Sequence, residues 1–217
     1  MFGKLKERRW RKRLGRVLKK KSGSRAIEPW NRIREVAVYC REEAGMDKGK
    51  IQATAGRLGA GRRLHLLVYS DSKDAAAVAD SWGNVWASRC VVSRKDFRFS
   101  YFPKFRRPDV AGFFQESYDL LLDLSFQSRL ADIAVLASVK AGFKVGKASQ
   151  WGQVVNDLSL DLGDSGNPLD EILRLLESYL PYIGITQDRL PQGMEAGKED
   201  LNRKGAGAGK PGRGLSK

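Results

Sequence analysis

The sequence predicts an α/β fold: a small, three-layer, Rossmann-like domain with a mostly parallel sheet of about five strands, preceded by a basic amphipathic helix. Short continuous apolar runs, such as 36–40 and, apart from His65, 64–69, alternate with helical segments. A strand that is apolar on both faces belongs in a sheet that is covered on both sides. Because crossovers between parallel strands are right-handed, we expect helices on both faces of this sheet.

The strands are predicted from these continuous apolar runs. They lie at 36–40, 64–69, 90–92, 118–124 and 143–145, with a further candidate at 156–162. The glycines at 56, 59 and 61 precede the second run, where they predict a tight loop into the strand.

Three helices are predicted between and after the strands. An alanine-rich segment over 73–82 follows a polar loop that offers caps, and apolar residues at helical spacing predict a helix over 128–141 with Gly142 at C′. The last helix runs from Pro168 to about Tyr182, because proline is favoured in the first turn of a helix.

The charge is distributed unevenly along the 217 residues. Residues 1–25 hold 12 basic residues and one acid, a net charge of +11, whereas residues 26–185 carry 21 basic and 20 acidic residues, a net +1. We therefore divide the chain into a basic helical arm (1–25), a linker (26–33), the α/β domain (34–185) and a tail (186–217). The tail ends in KGAGAGKPGRGLSK, a tract of glycine, lysine and proline that cannot bury a core, so we expect it to be disordered.

The arm is predicted to form an amphipathic helix. Trp10, Leu14, Val17 and Leu18 fall within an arc of about 100° on a helical projection, and basic residues fill the other faces. The candidate polyanion-binding residues are Lys4, Lys6, Arg8, Arg9, Arg11, Lys12, Arg13, Arg16, Lys19, Lys20 and Lys21. Three interpretations stay open: the apolar stripe packs on the domain, it lies on an anionic membrane surface, or the arm neutralises nucleic-acid phosphates.

Several classes of protein are disfavoured by what the sequence lacks. No apolar run of about 18 residues indicates a membrane span, and no apolar segment follows the charged N-terminus as in a secretory signal. Two cysteines and one histidine are too few for an ordinary structural zinc site, and His65 lies in an apolar strand as a satisfied core or edge residue would. We expect no metal, no cofactor, and a cytoplasmic protein that is peripheral at the membrane if the arm binds lipid.

The glycine motifs do not support nucleotide binding. The segment 142–148 has one residue too few for a phosphate-binding loop and ends in Ala148, which has no hydroxyl for Mg²⁺. Asp119 and Asp123 share a strand face but lie about 13 Å apart, too far for joint acid–base work. The candidate residues at the carboxyl ends of strands are Ser70, Asp71, Asp123 and Ser125, because ligands of open α/β sheets bind at that edge.

The stretch 94–107 interleaves aromatic and basic residues. Single-stranded nucleic acids are held by stacked aromatics within a basic groove, so this stretch is a second candidate for binding. The same alternation is typical of a half-buried strand, and that is the interpretation we favour.

The chain resembles a family of small bacterial α/β proteins of unknown function. The resemblance is carried by YDLLLDLS at 118–125, the helix that follows, and AGFKVG at 141–146, and it extends over residues 1–185. The same segment is similar to the N-terminal half of heptosyltransferase-type glycosyltransferases, which implies a Rossmann-like fold. Those enzymes have a Gly-Asp loop after their first strand, where this chain has YCREE at 39–43, and they need a second domain for which 217 residues leave no room.

These observations favour a binding or accessory module without catalytic residues, recruited by its basic arm to RNA or to a membrane surface. The alternative is a degenerate or minimal enzyme related to these two-domain (GT-B) glycosyltransferases, with a site at the carboxyl ends of the strands.

Overall fold

The computed structural model describes residues 28–43, 46–96, 105, 107–125, 129–148, 155–161 and 168–179. The chain divides into two units, Met1–Gly184 and Ile185–Lys217, and every described residue belongs to the first. The predicted arm and tail, and most of the aromatic and basic stretch 94–107, lie outside the described residues.

A parallel sheet forms the centre of the domain. Its strands, within the described residues, are β1 (Glu35–Arg41), β2 (Arg63–Tyr69), β3 (Ser88–Val92), β4 (Ser117–Asp123), β5 (Lys140–Lys147) and β6 (Leu158–Leu160). All neighbouring pairs are parallel, and the order across the sheet is β3-β2-β1-β4-β5-β6. The predicted α/β class and parallel sheet are confirmed, with the candidate at 156–162 contributing the sixth strand.

Both faces of the sheet are buried under helices. The helices are α1 (Lys48–Leu58), α2 (Ala75–Asp80), α3 (Pro108–Gln115), α4 (Leu130–Ser138) and α5 (Pro168–Tyr179), and 3₁₀ turns lie at Trp30–Arg32 and Arg94–Asp96. Helices α1, α2 and α5 contribute to the core on one face, and α3 and α4 to the core on the other.

Residues 36–40 of strand β1 are all apolar because they are buried on both faces of the sheet. Val36, Val38 and Cys40 belong to the first core, whereas Ala37 and Tyr39 belong to the second. Successive side chains of a strand point to opposite faces, so a central strand covered on both sides has no position for an exposed side chain.

Two helices were not predicted. Helix α1 has only Ile51, Thr54 and Ala55 buried and contains Gly56, so its apolar periodicity is weak. The predicted glycine loop is therefore wrong at Gly56, which lies inside α1, whereas Gly61, with a φ of +73°, does lie in the turn into β2. Helix α3 begins at Pro108, directly after the aromatic and basic stretch 94–107, and no helix was predicted there.

The boundary between α4 and β5 also differs from the prediction. The helix ends at Ser138, and Val139 adopts extended dihedral angles. Ala141, predicted as helical, pairs with Tyr118 of β4, and Gly142, predicted as a C′ residue, lies within β5. Pairing with the neighbouring strand overrides the local helical pattern at these positions.

Replacement of Leu176 by alanine tests the placement of α5. Leu176 is 2% exposed in the first core, so Leu176→Ala should reduce the free energy of unfolding by about 2–5 kcal/mol. Denaturant unfolding measures this change, with Ser178→Ala on the exposed face of the same helix as the control, for which a change under about 0.5 kcal/mol is expected. Equal effects of the two substitutions would contradict the packing of α5 on the sheet.

Candidate functional site at the carboxyl edge of the sheet

The carboxyl ends of β1 and β4 meet at the point where the strand order reverses. From β1 the chain continues to β2 on one side, and from β4 to β5 on the other. Such a reversal opens a crevice between the two following loops, where ligands of open α/β sheets bind. The side chains at the ends of these two strands are therefore the first place to look for a site.

A buried ion pair connects β1 to α4 at this edge. Arg41 Nε donates to Asp132 Oδ1 at 2.8 Å, and the two side chains are 4% and 0% exposed. The hydroxyl of Tyr39 donates to the same oxygen at 2.5 Å, and the guanidinium of Arg41 lies over the Tyr69 ring, 4.0 Å from its centroid. Burial disfavours the charge of Arg41, but the attraction of Asp132 outweighs it, and the pKa of Arg41 is raised.

Asp132 also occupies the start of α4. Its second oxygen, Oδ2, accepts a hydrogen bond from the backbone N–H of Arg129 at 2.9 Å. Free N–H groups and the helix dipole make a helix N-terminus attractive to anions. Here a carboxylate of the chain itself takes that place, which disfavours a phosphate group at α4.

Removal of the Asp132 carboxylate should leave the Arg41 charge buried without a counterion. Asp132→Ala is expected to reduce the free energy of unfolding by about 3–5 kcal/mol, and Arg41→Met in the same chain should restore part of the loss. Glu171→Ala, which breaks the exposed Glu171–Arg174 pair, is the matched control and should change the free energy of unfolding little, because solvent screens an exposed ion pair. Chemical denaturation compares the variants, and similar losses for Asp132→Ala and Glu171→Ala would contradict a buried pair.

Asp123 ends β4 as a buried carboxyl group. Ser125 donates to its Oδ1 twice, from the backbone N–H at 2.9 Å and from the hydroxyl at 2.6 Å. Desolvation raises the pKa of Asp123 to about 7 and Asp132 raises it further, while the two hydrogen bonds from Ser125 act in the opposite direction. The predicted pair Asp123 and Ser125 is thus brought together, with the carboxyl group able to hold or release a proton near neutral pH.

The neighbourhood of Asp123 is tightly packed. A Cβ atom on Gly146 of β5 would lie 2.8 Å from the Cβ of Asp123 and would overlap the side-chain amide of Asn156. Glycine is therefore required where β5 passes this cluster. Among the described residues, the buried amide oxygen and nitrogen of Asn156 have no hydrogen-bond partner.

The raised pKa of Asp123 gives a pH dependence of known sign. The folded protein keeps the Asp123 proton up to about pH 7, whereas the unfolded chain loses it near about pH 4. The contribution of this group to stability is therefore complete below about pH 4 and is lost as the pH rises to about 7.

Asp123→Asn should remove this dependence, because the Asn amide is neutral and its oxygen accepts the Ser125 hydrogen bonds. The free energy of unfolding of the variant should rise relative to the unsubstituted protein between about pH 4 and 7, by up to about 4 kcal/mol. Unfolding curves recorded across this range provide the measurement. A difference between the two proteins that is constant with pH would contradict a buried, protonated Asp123.

The other predicted pair lies apart from Asp123. The Ser70 hydroxyl donates to Glu42 Oε2 at 2.5 Å, Glu42 Oε1 pairs with Lys48 Nζ at 2.8 Å, and Asp71 is exposed. Because β1 separates β2 from β4, two strand spacings, about 10 Å, lie between Ser70 and Asp123. The structure therefore does not unite the four strand-end candidates in one constellation.

Sequence reasoning missed a hydrogen-bonded row at the opposite, amino edge of the sheet. His65 Nε2 lies 2.6 Å from Glu35 Oε2, and its Nδ1 lies 2.8 Å from the Ser88 hydroxyl. The imidazole is 4% exposed and packs edge-on against Tyr118. This enclosed, fully bonded ring confirms the prediction of a satisfied histidine, and only the pairing of three strands brings Glu35 and Ser88 to it.

Three other residues considered in the sequence, Asp119, Cys40 and Cys90, are held within the domain. Asp119 Oδ2 accepts hydrogen bonds from the backbone N–H groups of Arg34 and Glu35 at 2.7 and 3.0 Å. Asp119 therefore holds the start of β1 in place and does not form a site with Asp123. Cys40 and Cys90 are buried free thiols. Desolvation raises the pKa of Cys40 strongly and that of Cys90 to about 12, which keeps both protonated at neutral pH.

Neither a metal cluster nor a membrane span is found in the part of the chain that the structure describes. No three His, Cys, Asp or Glu side chains there converge as metal ligands would. None of the helices there is both long and apolar enough to cross a bilayer.

The fold and this edge define an open, all-parallel α/β domain with Rossmann-like strand order. A family model described as "Family of unknown function (DUF6913)" matches residues 6–183, and the chain belongs to that family. The resemblance to a family of unknown function that the segment 118–146 indicated is thereby confirmed.

Among solved structures, the chain is similar to the crystal structure of the glycosyl transferase family 9 from Veillonella parvula DSM 2008. The TM-score is 0.42 and the sequence identity 12%, over 70% of this chain and 42% of that one. The chain thus spans less than half the length of the protein that it matches. A comparison with curated proteins finds no match.

Proposed function

We propose that this protein is a binding module without catalytic residues, and that its basic arm, residues 1–25, brings the α/β domain to an anionic membrane surface. The observation that carries the proposal is the charge distribution, with +11 on 25 residues and +1 on the next 160. Each basic residue near an anionic bilayer contributes about 1 kcal/mol of attraction. An attraction of this kind therefore acts on the arm far more strongly than on the domain.

The carboxyl edge of the sheet favours the interpretation of the domain as a scaffold and disfavours a nucleotide-binding enzyme. Glu42, Glu43 and Asp47 follow β1, and Asp132 occupies the first turn of α4. Asp47 and Asp132 accept backbone N–H groups at the two helix N-termini where a Rossmann-like fold ordinarily receives phosphate, and Glu42 and Glu43 are paired with Lys48 and Arg129. The polar groups of this edge also bond largely to one another, as the Arg41–Asp132 pair does.

The apolar stripe of the arm favours a membrane over RNA. Trp10, Leu14, Val17 and Leu18 would enter the interface between headgroups and acyl chains, which adds an attraction that salt does not screen. RNA phosphates would engage the basic residues but give the stripe no role. RNA is therefore the alternative partner of the same arm.

A minimal enzyme at the strand ends is the second candidate function. It is favoured by Asp123, whose pKa of about 7 suits proton transfer, and by the unpaired amide of Asn156 beside it. It is disfavoured by the distance between this pair and Ser70, and by the packing that makes Gly146 necessary. A shift of Asp123 titration on addition of a small-molecule library, followed by NMR, would favour this candidate.

Deletion of residues 1–25 tests the recruiting arm. The deletion should abolish sedimentation with vesicles that contain phosphatidylglycerol, whereas deletion of the tail 186–217, with its net charge of +3, should leave it nearly unchanged. Trp10→Ala with Leu14→Ala should weaken binding to vesicles and leave binding to single-stranded RNA nearly unchanged. If about six basic residues engage RNA, log K for RNA should fall with log salt with a slope of about −4.

Two outcomes would overturn this proposal. Equal vesicle binding with and without the arm would show that another surface carries the affinity. Strong RNA binding by the full chain, without measurable vesicle binding, would replace the membrane by RNA as the partner.

A further inference from the structure

Four arginines lie together at the amino edge of the sheet. Arg32 and Arg34 lead into β1, and Arg62 and Arg63 lead into β2. We call them the arginine edge. The backbone N–H of Arg63 donates to the carbonyl oxygen of Arg34 at 2.8 Å, so the two lead-in segments run side by side.

Arg62 is built into this edge beside Trp30. Its guanidinium lies 3.8 Å from the centroid of the Trp30 ring, and its Nη2 donates to the Trp30 carbonyl at 2.9 Å. Two further hydrogen bonds join Nη1 to the carbonyls of Leu58 and Ala60. The side chain is therefore held in place, with the indole beneath it.

Three carboxylates lie beside the four arginines, those of Glu28, Glu35 and Asp119, and Asp119 Oδ2 accepts the backbone N–H of Arg34 at 2.7 Å. Arg63 pairs with Glu35 at 3.1 Å, but Glu35 also binds His65, and the Arg63 side chain remains 69% exposed. Arg32 lies 3.9 Å from Glu28, with both side chains exposed. Arg34 has no ion pair with any described residue. Desolvation lowers the pKa of Arg62, and the positive charge of Arg34 lowers it further.

The arm joins the domain at this edge. Residue 25 is three residues before Glu28, a distance of no more than about 11 Å along an extended chain. Arg25, the last basic residue of the arm, is thus covalently close to the arginine edge, whereas the carboxyl ends of the strands lie at the opposite edge of the sheet.

We propose that the arginine edge is the face that the domain presents to the membrane, where its guanidinium groups bind the phosphates of anionic lipid headgroups. The inference rests on the proposed function and adds the orientation of the domain. Guanidinium binds phosphate through paired N–H donors, and tryptophan is favoured at the depth of the headgroups. The exposed Arg34 and Arg63 supply the donors, and Trp30, held beneath Arg62, lies at the same edge.

The first experiment compares charge removal at the two edges of the sheet. Arg34→Gln with Arg63→Gln removes two charges from the arginine edge, and Lys73→Gln with Lys95→Gln removes two exposed charges that follow β2 and β3 at the carboxyl edge. In the full chain, the arginine variant should bind phosphatidylglycerol vesicles about tenfold more weakly or worse, and the lysine variant should bind normally. Thermal unfolding checks that both variants fold.

The second experiment reads the orientation directly. Asn31→Cys and Lys73→Cys place a thiol at an exposed position of each edge, and the native Cys40 and Cys90 are buried from a thiol-reactive dye. On vesicles, an environment-sensitive dye at position 31 should shift to the blue and become protected from iodide. The dye at position 73 should change little.

The outcomes separate this inference from the proposed function. If loss of the arm abolishes vesicle binding but both double variants bind alike and the dye at 31 stays exposed to iodide, the arginine edge is not the membrane face and the recruiting arm stands. If loss of the arm has no effect on vesicle binding, the proposed function fails first.

Discussion

The burial of the parallel sheet on both faces is the constraint on which the rest of the structure depends. Helices α1, α2 and α5 cover one face and α3 and α4 the other, so the central strands contribute apolar side chains to both cores. Most polar and charged side chains of the strands consequently lie at the two ends of the strands. The function of the domain has to be sought at those two edges.

The two edges differ in charge and in how their polar groups are paired. At the carboxyl edge, Arg41 is neutralised by Asp132, and the hydroxyl of Ser125 bonds to Asp123. At the amino edge, Arg62 donates to three backbone carbonyls, and the side chains of Arg34 and Arg63 are exposed. A Rossmann-like fold ordinarily concentrates its positive potential at the carboxyl edge for phosphate groups. In this protein Arg41, Lys48 and Arg129 of that edge are paired with carboxylates, whereas the guanidinium groups of Arg34 and Arg63 are exposed at the amino edge.

The carboxyl edge contains a buried carboxyl group, that of Asp123, which titrates near neutral pH. Asp123 is held by Ser125, approached by Gly146, and accompanied by the unpaired amide of Asn156. A carboxyl group that titrates near neutral pH in such a place couples the stability of β4 to pH. This coupling follows mainly from desolvation, with a smaller contribution from Asp132, and requires no ligand.

The sequence by itself determined the class of fold, because a strand covered on both faces is mostly apolar and the interiors of β1, β2 and β4 show that pattern locally. It also located α5, since Pro168 and the acidic first turn are local signals. It did not reveal α1, whose buried face is small, or the end of α4, where pairing of Ala141 with Tyr118 overrides the helical pattern.

At the candidate site the sequence named Asp123 and Ser125, two residues apart in the chain. Only the tertiary structure brought Arg41 to Asp132 across 91 positions and joined Glu35, His65 and Ser88 on three strands. Those pairings follow from strand order and helix packing, and no spacing along the chain encodes them.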